Sequence, residues 1–304
     1  MTEQNKLPTH DHHCVVTIIG CGDVGSRLAE QLDSQRYTVI GLRRSERVSD
    51  RIDYRQVDCS SREQLQQTLP EYSDVIVITM TPSQRTDAGY QQAYVQVVDN
   101  LLQAIQQPPR LIVFVSSTSV YSQSEGEWVD EDSPAAPSSF SGQRLLEAEQ
   151  LLSDSPYNSC VVRFSGIYGP KRQRLIEQVK RGESSPINPP LYSNRIHVDD
   201  CAAVLAHVIQ HNNPQTLYLA SDSSPTPLQE VKQWIAEQFG LSGQHWRGVS
   251  DSSLRASKRI SNQRLLNSGF TFNYPDFQQG YQTVIEQYLA DAQEIDLENG
   301  QPTL

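Results

Sequence analysis

Residues 15–33, VVTIIGCGDVGSRLAEQLD, constrain this chain more than any other stretch. An apolar run, Val15–Ile19, meets Gly20-Cys21-Gly22-Asp23-Val24-Gly25, and an amphipathic segment follows at once. The order reads as a buried strand, a glycine-rich turn and a helix start, which is what a dinucleotide pyrophosphate needs. Gly20 permits the tight turn, Gly22 lets phosphate oxygens reach bare backbone, and Gly25 lets the helix pack close on the strand. The helix N-terminus, with Asp23 and Val24 in its first turn, adds unbonded N–H groups and a partial positive charge. Glycine-rich turns also end strands that bind nothing, so the motif gains weight only with the strand that comes next.

That second strand, Tyr37–Leu42, ends in Arg43-Arg44-Ser45. An NAD site of this kind carries an acidic side chain about 20 residues past the glycines, to hold the ribose 2′-hydroxyl. Here two guanidiniums stand in that place. A carboxylate would repel a 2′-phosphate, whereas Arg can grip it with a planar fork. The expected cofactor is therefore NADP(H) in preference to NAD(H). The competing reading is a solvated basic pair at a strand end.

Charge and hydropathy narrow the remaining classes. The 304 residues carry 25 Lys and Arg against 36 Asp and Glu, a net charge of −11, which argues against a nucleic-acid-binding surface. The longest apolar runs, such as Leu111–Val115, are far too short to span a bilayer, and the polar N-terminus does not resemble a signal peptide. A cytoplasmic protein, a monomer or homodimer with no membrane partner, is expected. Cys14, Cys21, Cys59, Cys160 and Cys201 are scattered without a CxxC and read as reduced thiols. His10, His12, His13 and Cys14 could suggest a metal site, but they sit in a polar terminus expected to fray, and no metal is expected.

Strand and helix alternate through the first half. Asp53–Val57 is the third expected strand, followed by Asp58-Cys59 and capping-box chemistry from Ser60, Ser61, Glu63 and Gln64 for a helix through Leu69. Asp74–Thr79, Leu111–Val115 and Ser159–Phe164 are further apolar strands, with a long helix over 89–107 that stops at Pro108-Pro109. Six apolar strands separated by helices predict an α/β fold: a Rossmann-type, doubly wound parallel sheet with helices on both faces. Past Pro170 the chain changes character. Residues 183–194 read as loop, and helices over 199–210, 228–239 and 276–290 with a strand over 216–219 read as a small C-terminal α/β cap. The expected division is a dinucleotide-binding domain over 14–166 and a substrate-binding cap over 167–290, interleaved or not, with residues 1–13 and 291–304 as disordered tails.

Several motifs occur in a fixed order: GCGDVG near the start, VDCS after the third strand, FVSSTSVYS after the fifth, RFSGIYGP after the sixth, RIHVDDCA in the cap and SNQRLLNSGFTFNYPDFQQGY near the end. Over roughly residues 14–290 the chain resembles the extended short-chain dehydrogenase/reductases, the NAD-dependent epimerase/dehydratase family. The family glycine pattern is GxxGxxG, and Ile19 stands here at its first position. The resemblance implies that Asp58 accepts a hydrogen bond from the adenine amino group, that Thr79 and Met80 line the ribose and pyrophosphate path, and that Phe164 packs near the nicotinamide. A helix-initiating Asp and a buried strand end are the alternatives for Asp58 and for Thr79 with Met80. Arg163, His197 and Asp199 read as structural; Arg172, Arg174, Tyr192 and Arg195 in the cap could meet an anionic substrate, with solvated loop charges as the default reading.

The catalytic part of the resemblance fails. The family uses a Tyr four residues before a Lys on the helix after the fifth strand, with a Ser or Thr beside them. The cation matters because a Tyr near pKa 10 is a poor base at neutral pH. Ser117 holds the Ser place. Aligning LLEAEQLL, residues 145–152, with the family helix puts Ser141 and Leu145 at the Tyr and Lys positions, and a shift of one gives Phe140 and Arg144. Neither register restores acid–base chemistry, and Tyr121 reads as a packed aromatic. Three expectations remain, and the first two are an NADP(H)-dependent oxidoreductase or epimerase acting on a small carbonyl or nucleotide-sugar substrate through non-standard residues, and a non-catalytic NADP(H)-sensing protein of the same fold. A non-redox protein whose glycine loop is a fossil is the third and weakest.

Overall fold

The computed structural model of the chain describes residues 13–241, 246, 248–249 and 257–298. In chain order the elements begin with β1 (Cys14–Ile19), α1 (Asp23–Gln31), β2 (Tyr37–Arg43), β3 (Ile52–Gln56), α2 (Arg62–Thr68) and β4 (Val75–Ile78). Next come α3 (Asp87–Tyr90), a π-helical stretch (Gln91–Gln96) and α4 (Val97–Ala104), then β5 (Leu111–Ser117), β6 (Trp128–Val129), α5 (Phe140–Ser153) and β7 (Ser159–Phe164). The rest are β8 (Gly166–Tyr168), α6 (Arg174–Lys180), β9 (Glu183–Ser184), β10 (Tyr192–Ser193), β11 (Arg195–His197), α7 (Val198–Gln210), β12 (Leu217–Ala220), β13 (Thr226–Pro227), α8 (Leu228–Gln238), β14 (Gly248–Val249), β15 (Arg259–Ile260), α9 (Gln263–Asn267) and α10 (Phe277–Glu298).

Strands with apolar side chains on both faces must be covered on both sides, and that is how they are used. Seven strands form one sheet in the order β12-β7-β5-β4-β1-β2-β3. The pairs β1–β2, β1–β4, β2–β3 and β4–β5 are parallel, with Val16 opposite both Val39 and Val75. All four residues of β4 are buried, the signature of a central strand in a doubly covered sheet. The Rossmann-type sheet expected from the sequence is therefore present, with one addition. The strand expected over 216–219 as part of a cap is β12, the seventh strand of the main sheet, because its LYLA sequence is apolar enough to be buried.

The chain folds into two compact units that interleave along the sequence. The first comprises the described residues up to Val115 with Arg144–Val161 and Leu205–Thr216. The second comprises Ser116–Gln143, Val162–Val204 and the described residues from Leu217 onward. In the first, α1 buries Leu28 and Ala29, and α2 is anchored by Leu65, which has no exposed surface. Burying a leucine of this kind contributes about 1.5–3 kcal/mol. In the second, Tyr168, Leu175, Ile176, Val179, Val231, Ile235, Phe277, Tyr281, Val284 and Ile285 form a core that joins α6, α8 and α10. Four two-stranded ribbons, β6–β15, β8–β11, β9–β14 and β10–β13, complete that unit.

Local differences from expectation have physical causes. The helix expected over 89–107 runs from Asp87 to Ala104 and widens to π geometry over Gln91–Gln96. Thr86 starts it, its Oγ1 accepting the Gly89 N–H at 3.1 Å. The last helix continues to Glu298, past the boundary expected near residue 290, because residues 291–298 are mostly good helix formers (Ala, Gln, Glu, Leu). His10 and His12 lie outside the described residues, whereas His13 Nε2 pairs with Thr38 Oγ1 at 2.8 Å. All five cysteines are unbridged, and burial raises the thiols of Cys14 and Cys21 to about 11. No helix among the described residues is long and apolar enough to cross a membrane.

Candidate functional site: a dinucleotide cradle

The three glycines of the first turn do three different things. Gly20 sits at φ +77°, and a Cβ there would stand 2.6 Å from Met80 Sδ and 3.0 Å from Met80 Cα. Only glycine fits both demands. Gly25 lies on α1 where it crosses β1, so a Cβ would meet Ile18 Cγ2 at 2.9 Å and Cys21 Sγ at 3.2 Å. Gly22 differs: a Cβ there would find nothing closer than Gly20 O at 3.7 Å. The absence of a side chain at Gly22 is therefore not required by internal packing.

The loop spends some of its own donors. Gly20 and Cys21 N–H both donate to Leu42 O, at 3.0 and 2.9 Å, and Gly22 N–H donates to Gly20 O at 2.7 Å. Ser26 N–H makes the first intrahelical bond of α1, to Gly22 O at 2.9 Å. Helix geometry leaves the N–H groups of Val24 and Gly25, in the first turn of α1, without an intrahelical acceptor. These two, and not Gly22 itself, are donors such a loop can turn toward a phosphate. Gly22 is the N-cap and supplies no side-chain cap, which keeps that end open. The Asp23 carboxylate is paired with Arg27 at 2.9 Å.

Thr79 and Met80 close the cradle from β4. Thr79 N–H donates to Ile19 O at 2.8 Å and its hydroxyl donates to Gly20 O at 2.9 Å, so the end of β4 holds the glycine turn in place. Asp58 follows β3 and folds into a local turn. Its Oδ1 accepts the Ser60 N–H at 3.0 Å and the Ser60 hydroxyl at 2.7 Å, while Gln64 Oε1 accepts the Asp58 N–H at 3.0 Å. The N-cap of α2 is Ser61, whose Oγ accepts the Gln64 N–H at 3.4 Å. The expected capping box thus closes on Asp58 instead of on the cap residue.

Arg43 and Arg44 diverge. Arg43 is the last residue of β2, and its guanidinium lies 5.6 Å from the centre of the Tyr54 ring. Its Nη2 donates to Ser45 Oγ at 2.8 Å, while Nε and Nη1 are buried with no hydrogen-bond partner. The guanidinium is half-buried, and its two buried nitrogens without a partner are costly unless an anion meets them, which a phosphate could do. Arg44 is exposed, and its carbonyl accepts from Gln56 Nε2 at 2.9 Å.

Sequence reasoning missed three partners in this unit. Ser26 Oγ donates to Gly22 O at 2.7 Å. Its single proton being spent, it must accept from Tyr54 Oη at 2.9 Å and from Arg47 Nη1 at 3.1 Å. Arg47 also lies 5.5 Å from the Tyr54 ring centre. The one available sequence signal was a third arginine within five residues, Arg43, Arg44 and Arg47.

Ser117 and Phe164 belong to the second unit. Ser117 ends β5 and caps a single 3-10 turn, Thr118–Val120, its Oγ accepting the Ser119 N–H at 3.1 Å. Phe164, the last residue of β7, is buried. Tyr121 is 1% exposed, and its hydroxyl donates to Asp130 O at 3.0 Å and accepts from Arg163 Nη1 at 2.7 Å. It is the packed aromatic expected. Arg195 departs from the expected solvated charge: its Nη1 donates to Tyr281 Oη at 3.0 Å, and its Nε is buried and unpartnered. On α5, Ser141 Oγ pairs with Ser139 Oγ at 3.0 Å and Leu145 is buried. Arg144 donates through Nε and Nη2 to both Asp87 oxygens at 2.8 and 2.9 Å, and through Nη1 to Glu147 at 2.7 Å. No Tyr anywhere in the chain is followed four residues later by a Lys.

Known proteins place this architecture. Protein YeeZ of Escherichia coli K12 is 28% identical over 277 residues, covering 86% of this chain and 96% of its own length. A solved structure from Methylobacillus flagellatus, named for the NAD-dependent epimerase/dehydratases, is 36% identical, covers 91% of this chain and 99% of its own, and superimposes with a TM-score of 0.78. The human epimerase family protein SDR39U1, solved with NADPH, shares the fold at 17% identity, with a TM-score of 0.73 over 90% of this chain and 99% of its own. The family profile itself matches residues 16–220, from the third residue of β1 to the end of β12. With the glycine cradle, the sheet order and this match in agreement, the chain belongs to the NAD-dependent epimerase/dehydratase family.

Proposed function

We propose that this protein binds NADP(H) and acts as an oxidoreductase or epimerase on a small carbonyl or nucleotide-sugar substrate, using acid–base residues other than a Tyr–Lys pair. The observation that carries the cofactor choice is the half-buried Arg43 guanidinium at the end of β2, whose Nε and Nη1 are buried and unpaired. No carboxylate occupies the place after β2 where an NAD site would keep one. The human relative solved with NADPH supports the same choice, while the family description names NAD. The N–H groups of Val24 and Gly25 would hold the pyrophosphate, Thr79 and Met80 would border it, and Arg43 would meet the 2′-phosphate. When bound, the nicotinamide supplies hydride transfer. Ser117 would orient the substrate oxygen through its hydroxyl proton, since its lone pair already accepts the Ser119 N–H.

A second reading, an NADP(H)-sensing protein without turnover, is favoured by α5, which has neither Tyr nor Lys and whose Arg144 is held by Asp87 and Glu147. Fluorescence titrations with NADPH and NADH test the cofactor assignment. NADPH should bind about 10- to 100-fold more tightly, the worth of one charged hydrogen-bonded contact. Equal affinities, or no binding of either, would overturn it. Screening carbonyl substrates against the NADPH-loaded protein then separates enzyme from sensor.

A further inference from the structure

Arg43 and Arg47 come from different places, the end of β2 and the loop after it, yet both guanidiniums lie about equally close to one ring, 5.6 and 5.5 Å from the centre of Tyr54. Two cations brought to the same aromatic group repel each other unless something negative offsets them. Asp53 is not that group: its carboxylate is taken by Arg55 at 3.0 Å. The ring is itself fixed at both ends. Its Oη donates to Ser26, and its Cδ1 edge packs over Gly41. Arg47 donates Nη1 to the same Ser26, whose own proton goes to Gly22 O in the glycine turn. A cleft of about 540 Å³ opens beside this network, and its lining includes Ser45, Arg47, Ser49 and Tyr54 together with the carboxylates of Glu46 and Asp53, the latter paired with Arg55. That volume suits a nucleoside-sized group. Arg44 and Arg47 are both exposed, but Arg47 is held against the Tyr54 ring and Ser26, whereas Arg44 contributes its carbonyl to Gln56.

We propose that Arg47, and not Arg44, is the second residue that reads the 2′-phosphate, with Tyr54 as the platform that positions it alongside Arg43. The proposal rests on the NADP(H) reading above. Arg47 then couples specificity to the pyrophosphate turn, because Ser26 joins it to Gly22. Four of the five Arg47 N–H donors remain for an anion after the bond to Ser26, and the side chain is exposed.

The test is direct binding, measured by calorimetry or fluorescence, of NADPH, NADH, 2′-phospho-AMP and AMP to the parent protein and to Arg43→Ala, Arg44→Ala, Arg47→Ala and Tyr54→Leu. Arg47→Ala should lose at least tenfold in affinity for NADPH and for 2′-phospho-AMP while its affinity for NADH and AMP stays within twofold. The unchanged NADH affinity shows that the variant is folded. Arg44→Ala should change all four by less than twofold, and Tyr54→Leu should lower the NADPH preference. If the parent prefers NADPH and Arg47→Ala keeps that preference, or if Arg44→Ala loses it, the assignment of Arg47 is wrong while the NADP(H) reading stands. If the parent shows no preference for the 2′-phosphorylated ligands, the NADP(H) reading itself is wrong and Arg47 falls with it.

Discussion

Gly41 and Tyr54 stand directly opposite each other in the pairing of β2 with β3, and a Cβ on Gly41 would come within 2.9 Å of Tyr54 Cδ1. The bare backbone at Gly41 is what lets the Tyr54 ring lie across the sheet and present its hydroxyl to Ser26. Gly41→Ala would also press on Ile52 Cγ2 at 2.9 Å and Cys21 Sγ at 3.0 Å. Overpacking of this kind costs about 1–3 kcal/mol. The melting temperature should fall by several degrees and the NADPH preference should shrink, because the ring that positions Arg43 and Arg47 is displaced. A variant with parental Tm and parental preference would show that the ring has room to yield.

Gly22 and Gly25 should separate binding from stability. Gly25→Ala places a methyl 2.9 Å from Ile18 Cγ2 and should lower the Tm with or without cofactor. Gly22→Ala meets nothing closer than 3.7 Å and should leave the apo Tm nearly unchanged while weakening NADPH at least tenfold. Thermal scans with and without 1 mM NADPH distinguish the two, since only a bound ligand raises the Tm by mass action. Equal behaviour of the two variants would contradict the division of roles.

Ser117→Ala removes the hydroxyl that caps the turn after β5, which costs about 1 kcal/mol as a lost cap. NADPH affinity should be unchanged. In an active enzyme, turnover should fall at least a hundredfold, the lower end of what one positioned proton-handling group contributes. Normal turnover by this variant would remove Ser117 from the chemistry.

Arg144 stands at the family Lys position in one alignment, but its fork is committed to Asp87, and that contact holds the Asp87 carboxyl below the usual carboxylate range. Arg144→Ala should therefore leave NADPH affinity within twofold. A large loss of affinity would mean that this cation exchanges Asp87 for the cofactor.

Burial pushes the Asp222 carboxyl up to about 8, against opposing pulls from the Ser224 N–H and the Arg195 guanidinium. A carboxyl whose folded pKa lies above its unfolded value of about 4 stabilises the fold below that pH, and the stability drains away as pH rises toward 8. Asp200 and Glu131 shift in the same direction, also through burial. Denaturant midpoints should thus fall from pH 5 to pH 8, with Asp222 contributing a slope of up to about 1.4 kcal/mol per pH unit. Asp222→Asn should flatten that part of the profile. An unchanged slope would mean that Asp222 is ionised in the folded protein.

What the sequence determined by itself is whatever rests on neighbours in the chain. A glycine turn between an apolar strand and an amphipathic helix, a run such as SCVVRF bounded by turn residues, and the Thr or Ser that starts a helix are all local, and β7 and the glycine cradle lie where those signals put them. The ends of elements moved where helix propensity outlasted polar composition, as in α10, or where a short apolar strand found a place at the edge of the sheet, as in β12. Tertiary structure alone decided which arginine meets which ring. Ser26 and Arg47 are 21 residues apart and Ser26 and Tyr54 are 28 apart, so their meeting depends on the register of β2 against β3 and on how closely α1 lies over β1. Register is set by the sum of side-chain packing across the sheet. No window of sequence contains that sum, and so the network beneath the cofactor cradle could be seen only once the chain was folded.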